Sequence, residues 1–275
     1  MTNGGQIAQT TTFEQTLSAA AQLPGVRITR DDFLRTELNR FCLADQVDLA
    51  IRTTPAEAGI PINLLDQIAA SVIKYETSKV TAISAAAGLP GGFAAFAAVP
   101  ADVAQYFGHV LRVVQKLAYL YSWPDLFDPD GAGMDTATES MLTLFVGIMF
   151  GVNAAQAGVA KVSVLIAAEV TKKLPQKALT KGTIYPIVKK VAAAMSVKMT
   201  KQIFARGVSK AVPIVGAVVS GGLTLATFLP MSKRLQQHLR TLPLTHPNLG
   251  AQQKFGVPRA KPMSKSRSVL TTKTS

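Results

Sequence analysis

The chain has 275 residues and a formal net charge of +13, with 48% hydrophobic residues, 16% charged residues and a mean hydropathy of +0.25. An ordinary soluble domain carries about 25% charged residues, so this chain is short of polar surface, and its length allows one large core or two small ones. The single cysteine, Cys42, excludes an internal disulfide and a thiolate zinc cluster. The opening MTNGGQIAQTTTFEQ lacks the apolar core of a secretory signal, so residence in the cytoplasm is expected.

Residues 1–25 read as a flexible arm with one short helix, ended by Leu23-Pro24-Gly25. A firmer helix follows: Thr29 can cap it, Asp31 and Asp32 suit its first turn, and Phe33, Leu34, Leu38, Phe41 and Cys42 recur at helical spacing toward a stop at Thr53-Thr54-Pro55. Cys42 is expected in the core. The next helical pattern, residues 62–87, ends at Gly88-Leu89-Pro90-Gly91-Gly92. Pro100 is expected in the first turn of a further helix running to Tyr121, with Asp102 where the helix dipole favours an acid.

Beyond Ser122-Trp123-Pro124, residues 127–135 form an acidic turn. Its Asp128-x-Asp130 start has Glu139 where a twelve-residue calcium loop ends, but the intervening ligands are hydrophobic or absent, so no metal is expected. Residues 136–174 read as one long helix or two, followed by short basic helices and a helix reaching Arg240. From Leu242 onward the chain is rich in Pro, Lys and Ser and reads as disordered. No stretch demands a strand. The expectation is an all-α, compact multi-helix bundle over residues 26–242, with broken apolar hairpins at Gly88, Pro90, Gly91, Gly92 and Pro100 and disordered ends at 1–25 and 243–275.

Three uncharged windows, residues 80–101, 140–160 and 211–232, reach the roughly 20 residues that span a bilayer as a helix, so length alone would allow transmembrane helices. Pro90, Gly91, Gly92 and Pro100 punctuate the first, and Pro213, Gly216, Gly221, Gly222 and Pro230 the third. Backbone that leaves the helix in lipid strands its polar groups. Gly147, Gly151 and Ala155, like Gly216 with Ser220 and Gly222 with Ala226, repeat at the four-residue spacing that lets helices approach closely. Burial in a bundle that meets a membrane at one face fits best; integral insertion, or a switch between the two, is the alternative.

On the helix after Pro100, Asp102, Gln105, His109 and Lys116 fall within about 60° of one another, with Arg112 beside them. This polar stripe can bind a polar group or simply be a wet helix face. No catalytic residues are assigned, because no nucleophile, second histidine or metal-ligand spacing accompanies it. Other templates fail: the three histidines, His109, His238 and His246, form no HExxH, and neither a P-loop nor a dinucleotide fingerprint is present. No cofactor is expected.

Charge is unevenly spread. Residues 1–160 hold 9 Lys/Arg against 15 Asp/Glu, whereas residues 161–275 hold 20 against one, Glu169. Such asymmetry points to a polyanionic partner. Nucleic acid is disfavoured, since no helix-turn-helix or interleaved aromatics accompany the lysines. Anionic lipid fits better, and the expected membrane-facing patch is Lys189, Lys190, Lys198, Lys201, Arg206, Lys210, Lys233 and Arg234.

Five blocks carry a family resemblance: ISAAAGLPGG (83–92), VPADVAQYFGHVLRVVQKLAYLYSWPDL (99–126), LFVGIMFGV (144–152), ALTKGTIYPIVKK (178–190) and SKAVPIVGAVVSGGLTLATFLPM (209–231). In this order they resemble the EcsC family of bacterial proteins, over about residues 24–242. Ser122 departs from the pattern, which implies glycine before Trp123. The family is named for a protein encoded beside an ABC transporter. The resemblance implies bacterial origin and an accessory role at the inner membrane, with no catalytic residues to carry over. The combined expectation is a non-enzymatic helical protein, peripheral to the cytoplasmic face of that membrane, binding anionic lipid and partnering membrane proteins such as a transporter. The alternatives are a hydrolase or lipid-modifying enzyme using Asp102 and His109, and a membrane-permeabilising effector.

Overall fold

Leucine- and alanine-rich segments separated by Pro/Gly breaks have one economical outcome, helices packed by their apolar stripes. The structure, a computed structural model, describes residues 3–87, 95–127, 133–169, 173–210 and 216–246. Among these residues every regular element is helical: α1 (Asn3–Gln22), α2 (Arg30–Leu38), α3 (Ala44–Arg52), α4 (Ile62–Ala87), α5 (Ala95–Leu120), α6 (Thr136–Met149), α7 (Asn153–Ala168), α8 (Gln176–Thr180), α9 (Tyr185–Lys210) and α10 (Gly216–Arg240), then a 3-10 turn at Pro243–Thr245.

Helix α6 is the spine. From Ala137 to Met149 every residue except Glu139 is buried, the pattern of a helix enclosed on all sides. Helices α7, α8 and α9 cover one side of it, α5 and α10 lie against another, and α4 packs along α10 and α5. The α2–α3 pair sits on the outer end of α5. Close approach around α6 depends on missing side chains: a Cβ at Gly147 would overlap Val191 of α9 and stand 2.9 Å from the Ala155 Cβ of α7. The second apolar window is therefore consumed by protein contacts, and no helix among the described residues is long and apolar enough to cross a membrane.

Several sequence expectations change. Residues 3–22 form α1, whose Phe13 and Leu17 are fully buried against the core, so this segment is built into the fold. The helix from Thr29 ends at Leu38, and a second begins at Ala44. The turn between them leaves Phe41 58% exposed and Cys42 only partly buried. Thr29 holds the N-cap position without a side-chain capping bond. Helix α5 starts at Ala95, so Pro100 lies within its second turn and does not open it, a place where proline forfeits one intrahelical bond and crowds the carbonyl four residues back. Gly88, Pro90, Gly91 and Gly92 lie outside the described residues. The basic segment after α8 is one 26-residue helix, α9, and the folded part continues to Leu244, which is buried.

Helices α5 and α6 end alike. At Gly151 (φ 72°), Val152 donates to the Gly147 carbonyl at 2.8 Å and Gly151 to that of Ile148 at 3.0 Å, the paired bonds of a Schellman cap. After α5, Trp123 donates to Ala118 at 3.0 Å and Ser122 to Tyr119 at 3.2 Å, but the left-handed residue is Ser122 (φ 69°). Its side chain offers a compensation: the Ser122 hydroxyl accepts the Ala56 N–H at 3.1 Å and tethers the α3–α4 linker. Ser122→Ala keeps the left-handed backbone and strands that N–H, so it destabilises the protein by about 1 kcal/mol. In Ser122→Gly, relief of backbone strain of about 1 kcal/mol offsets the lost bond. Urea denaturation should rank Ser122→Ala below both wild type and Ser122→Gly.

Candidate functional site

The apolar stripe of α4 runs through Leu65, Ile68, Ala69, Val72 and Ile73 to Val80. At its next turn the helical register places a carboxylate, Glu76, with no exposed side-chain surface. An unpaired charge there is costly by several kcal/mol. Helix α5 supplies the partners. Lys116 Nζ donates to Glu76 Oε1 at 2.7 Å, Arg112 Nε reaches both carboxylate oxygens at 3.2 and 3.3 Å, and His109 Nδ1 lies 3.3 Å from Oε2. These residues follow one another at three- and four-residue spacing, so one face of α5 delivers all of them to one acid.

Aromatic rings close the lower end of this cluster. Lys116 Nζ lies 5.6 Å from the Tyr75 ring centroid and 5.9 Å from that of Phe33, while Lys79 sits over Tyr75 at 4.6 Å. Such cation–π contacts help to hold desolvated ammonium groups. The same face of α5 also secures the α1–α2 linker. Arg112 Nη1 donates to the Gly25 carbonyl. Gln115 Nε2 donates to Val26 O at 2.9 Å, its Oε1 accepts the Ile28 N–H at 2.9 Å, and the Tyr119 hydroxyl donates to Ile28 O at 3.2 Å.

A second network ties α4, the end of α5 and α10. The Tyr121 hydroxyl donates to Asp66 Oδ1 at 2.7 Å, Arg240 Nε donates to Asp66 Oδ2 at 2.7 Å, and Gln236 Nε2 donates to the Tyr121 hydroxyl at 3.1 Å. Burial, with Asp66 adding to it, pushes the Tyr121 phenol above its ordinary range. Tyr119 and Tyr121 are both fully buried.

Protonation of Glu76 is decided by opposing causes. Burial by itself pushes its carboxyl up, but hydrogen bonds from His109 and Lys116 and the charges of Lys116 and Arg112 prevail and hold it at about 2. A carboxylate so stabilised is an acceptor and an anchor, not a proton donor near neutrality. It also orients His109, but Arg112 and Lys116 share its charge, unlike the dedicated carboxylate that supports a general base.

The stripe read from the sequence thus divides. His109, Arg112 and Lys116 converge on Glu76. Gln105 is exposed one turn away, and Asp102 lies on α5 with its side chain outside the described set. Glu76 was the residue missed, although its place on the buried face of α4 was visible as a lone acid at core spacing. Of the basic patch, Lys189, Lys190, Lys198 and Lys233 are exposed. Lys201, Arg206 and Lys210 belong to α9 with side chains outside the described set. Arg234 is exposed as well, and its guanidinium also donates to the Met149 carbonyl at the end of α6, where carbonyls left by the helix end need donors. At the acidic turn, Asp135 caps α6 by accepting the Thr138 N–H at 2.6 Å. No group of three or more metal-binding side chains occurs among the described residues.

Comparison with protein-family models, curated proteins and solved structures returned no match to this chain.

The Glu76 cluster generates an acid-stability signature. Because the folded carboxyl titrates below its ordinary 4.5, its contribution is complete above about pH 5 and is lost as pH falls toward 2. A shift of this size corresponds to about 3 kcal/mol. Between about pH 6 and pH 2, wild type should lose about 3 kcal/mol more stability than Glu76→Gln, as measured by denaturant titrations at each pH. Equal losses would remove the cluster from the account.

Proposed function

We propose that this chain is a peripheral, non-enzymatic helical module that attaches to an anionic membrane surface through the side formed by α7, α8 and α9. The observation that carries the reading is the composition of that side. Lys161, Lys173, Lys177, Lys181, Lys189, Lys190 and Lys198 are exposed there, against the exposed acids Glu169 and Asp135, the latter hydrogen-bonded to Gln176 of α8 at 2.8 Å. Interspersed are Val164 (55% exposed), Leu165 (37%) and Val197 (43%). On α7, Lys161, Val164, Leu165 and Ala168 share one outer face, and on α9 Lys190, Val197 and Lys198 do so.

Cations attract anionic headgroups, at about 1 kcal/mol per basic residue near the surface. Aliphatic side chains between them can enter the headgroup boundary without any helix crossing the bilayer. Val159, Val162 and Ile166 of α7 and Val188, Val191 and Met195 of α9 are already buried in the protein core, which fits attachment by a surface better than insertion. An accessory role beside membrane proteins, such as a transporter, is the family-level part of this reading. It rests on the sequence resemblance alone.

The α2–α3 side carries Asp31, Asp32, Glu37, Asp45 and Asp48 beside exposed Arg35, Arg40 and Arg52, a nearly balanced set that offers anionic lipid no comparable attraction. Flotation with vesicles of phosphatidylglycerol mixed with phosphatidylcholine, against phosphatidylcholine alone, tests the reading. Recovery is expected on the anionic vesicles only, and it should fall with added salt. Lys190→Glu and Lys198→Glu should each weaken binding by at least about fivefold. Equal recovery on both vesicle types would overturn the proposal.

A further inference from the structure

The groove between α4 and α5 holds more positive charge than its one carboxylate neutralises. Lys116 and Arg112 bind Glu76 directly, and Lys79 stands over Tyr75, the ring that also faces Lys116. Two cations therefore contact one buried anion, and Lys79, three residues on from Glu76 along α4, adds a third positive charge at the edge of the groove. Arg112 uses Nε on Glu76 and Nη1 on Gly25, which leaves Nη2 without a partner among the described residues. His109 turns Nδ1 to Glu76, and its Nε2 likewise meets no described partner. Both side chains retain solvent access, Arg112 at 22% and His109 at 12%.

We infer that this edge is an anion-binding site for a phosphate group, gripped by the free Nη2 of Arg112 and the ammonium of Lys79, with His109 alongside. A guanidinium edge and an ammonium suit phosphate oxygens, and His109 adds a further donor when protonated. Glu76 is the organising element: it fixes Arg112 and His109 in place and does not cancel the surplus. Spare donors on a preformed frame need little reordering when the anion arrives. Gln105, exposed one turn further along α5, can supply a neutral amide to the same ligand. This site involves none of the residues of the α7–α9 surface, so it goes beyond the membrane reading and can fail independently of it.

The phosphate can come from solution or from a lipid headgroup, and the test separates the two. The chain has only three histidines, so their side-chain NMR signals can be followed in the full-length protein. Inorganic phosphate and a short-chain, monomeric phosphatidic acid are titrated at constant pH and ionic strength, with His109→Gln used to assign the signal. The expected result is a saturable shift of His109 with His238 and His246 unmoved. Lys79→Glu, an exposed substitution that leaves Glu76 and its partners in place, should weaken binding about tenfold, whereas Lys190→Glu should leave it unchanged. Similar affinities for the two probes assign the site to free phosphate; at least tenfold tighter binding of the lipid assigns it to a headgroup. Absence of a saturable His109 shift with either probe, or an unchanged titration in Lys79→Glu, would overturn the inference.

Discussion

A carboxylate buried on the inner face of α4 constrains this fold more than any apolar contact does. Leucine or valine at that turn would extend the stripe without consequence. Glu76 instead requires compensating donors at fixed height along the neighbouring helix. His109, Arg112 and Lys116 meet that requirement from one face of α5, so the register of α4 against α5 is set by charge as well as by shape. Buried ionic groups are weak evidence for stability in general, but one partner left alone is costly. The cluster therefore acts as a lock on alignment. Arg112, Gln115 and Tyr119 extend its influence to the α1–α2 linker, and the Asp66–Tyr121–Arg240 network does the same for α10 at the other end of the groove.

The apolar part of the molecule follows a simpler logic. Helix α6 is enclosed by its neighbours, and glycine at 147 lets α7 and α9 approach it closely. The oily segment 140–160, which looks like a membrane span in isolation, is here lined by protein. The charged residues are then divided unevenly. Lysines collect on α7 to α9, acids and arginines share α2 and α3, and a buried cluster of mixed sign joins α4 to α5.

Much of this organisation was legible from residue types and spacing. The helical class followed from alanine and leucine content and the Pro/Gly punctuation, and the stripe through His109, Arg112 and Lys116 followed from helical periodicity. Its partner did not, because an acid at position 76 reads as a solvated residue until the neighbouring helix is known; only its place at core spacing distinguishes it. The turn at residues 39–43 was missed for a similar reason. Phe41 and Cys42 continue the apolar period of α2, yet the extended backbone of Leu43 (φ −69°, ψ 152°) ends it and caps a new helix from Ala44. Pro100 was read as a helix start because proline favours that position, while the helix in fact begins five residues earlier. The bond of the exposed Arg234 to the α6 terminus was not legible, since the need of that terminus for a donor is a tertiary fact. At position 122 the resemblance implied glycine, and the backbone there is left-handed as glycine would allow, with serine adding a tether to Ala56.

The central claim is that Glu76 and Lys116 are energetically coupled across α4 and α5. A double-mutant cycle of Glu76→Gln and Lys116→Met, followed by denaturant unfolding at neutral pH, measures that coupling directly. A coupling of at least about 1.5 kcal/mol is expected for a buried, hydrogen-bonded pair of opposite charges. Two substitutions whose effects simply add would contradict the claim and return Glu76 to the status of an ordinary helix residue.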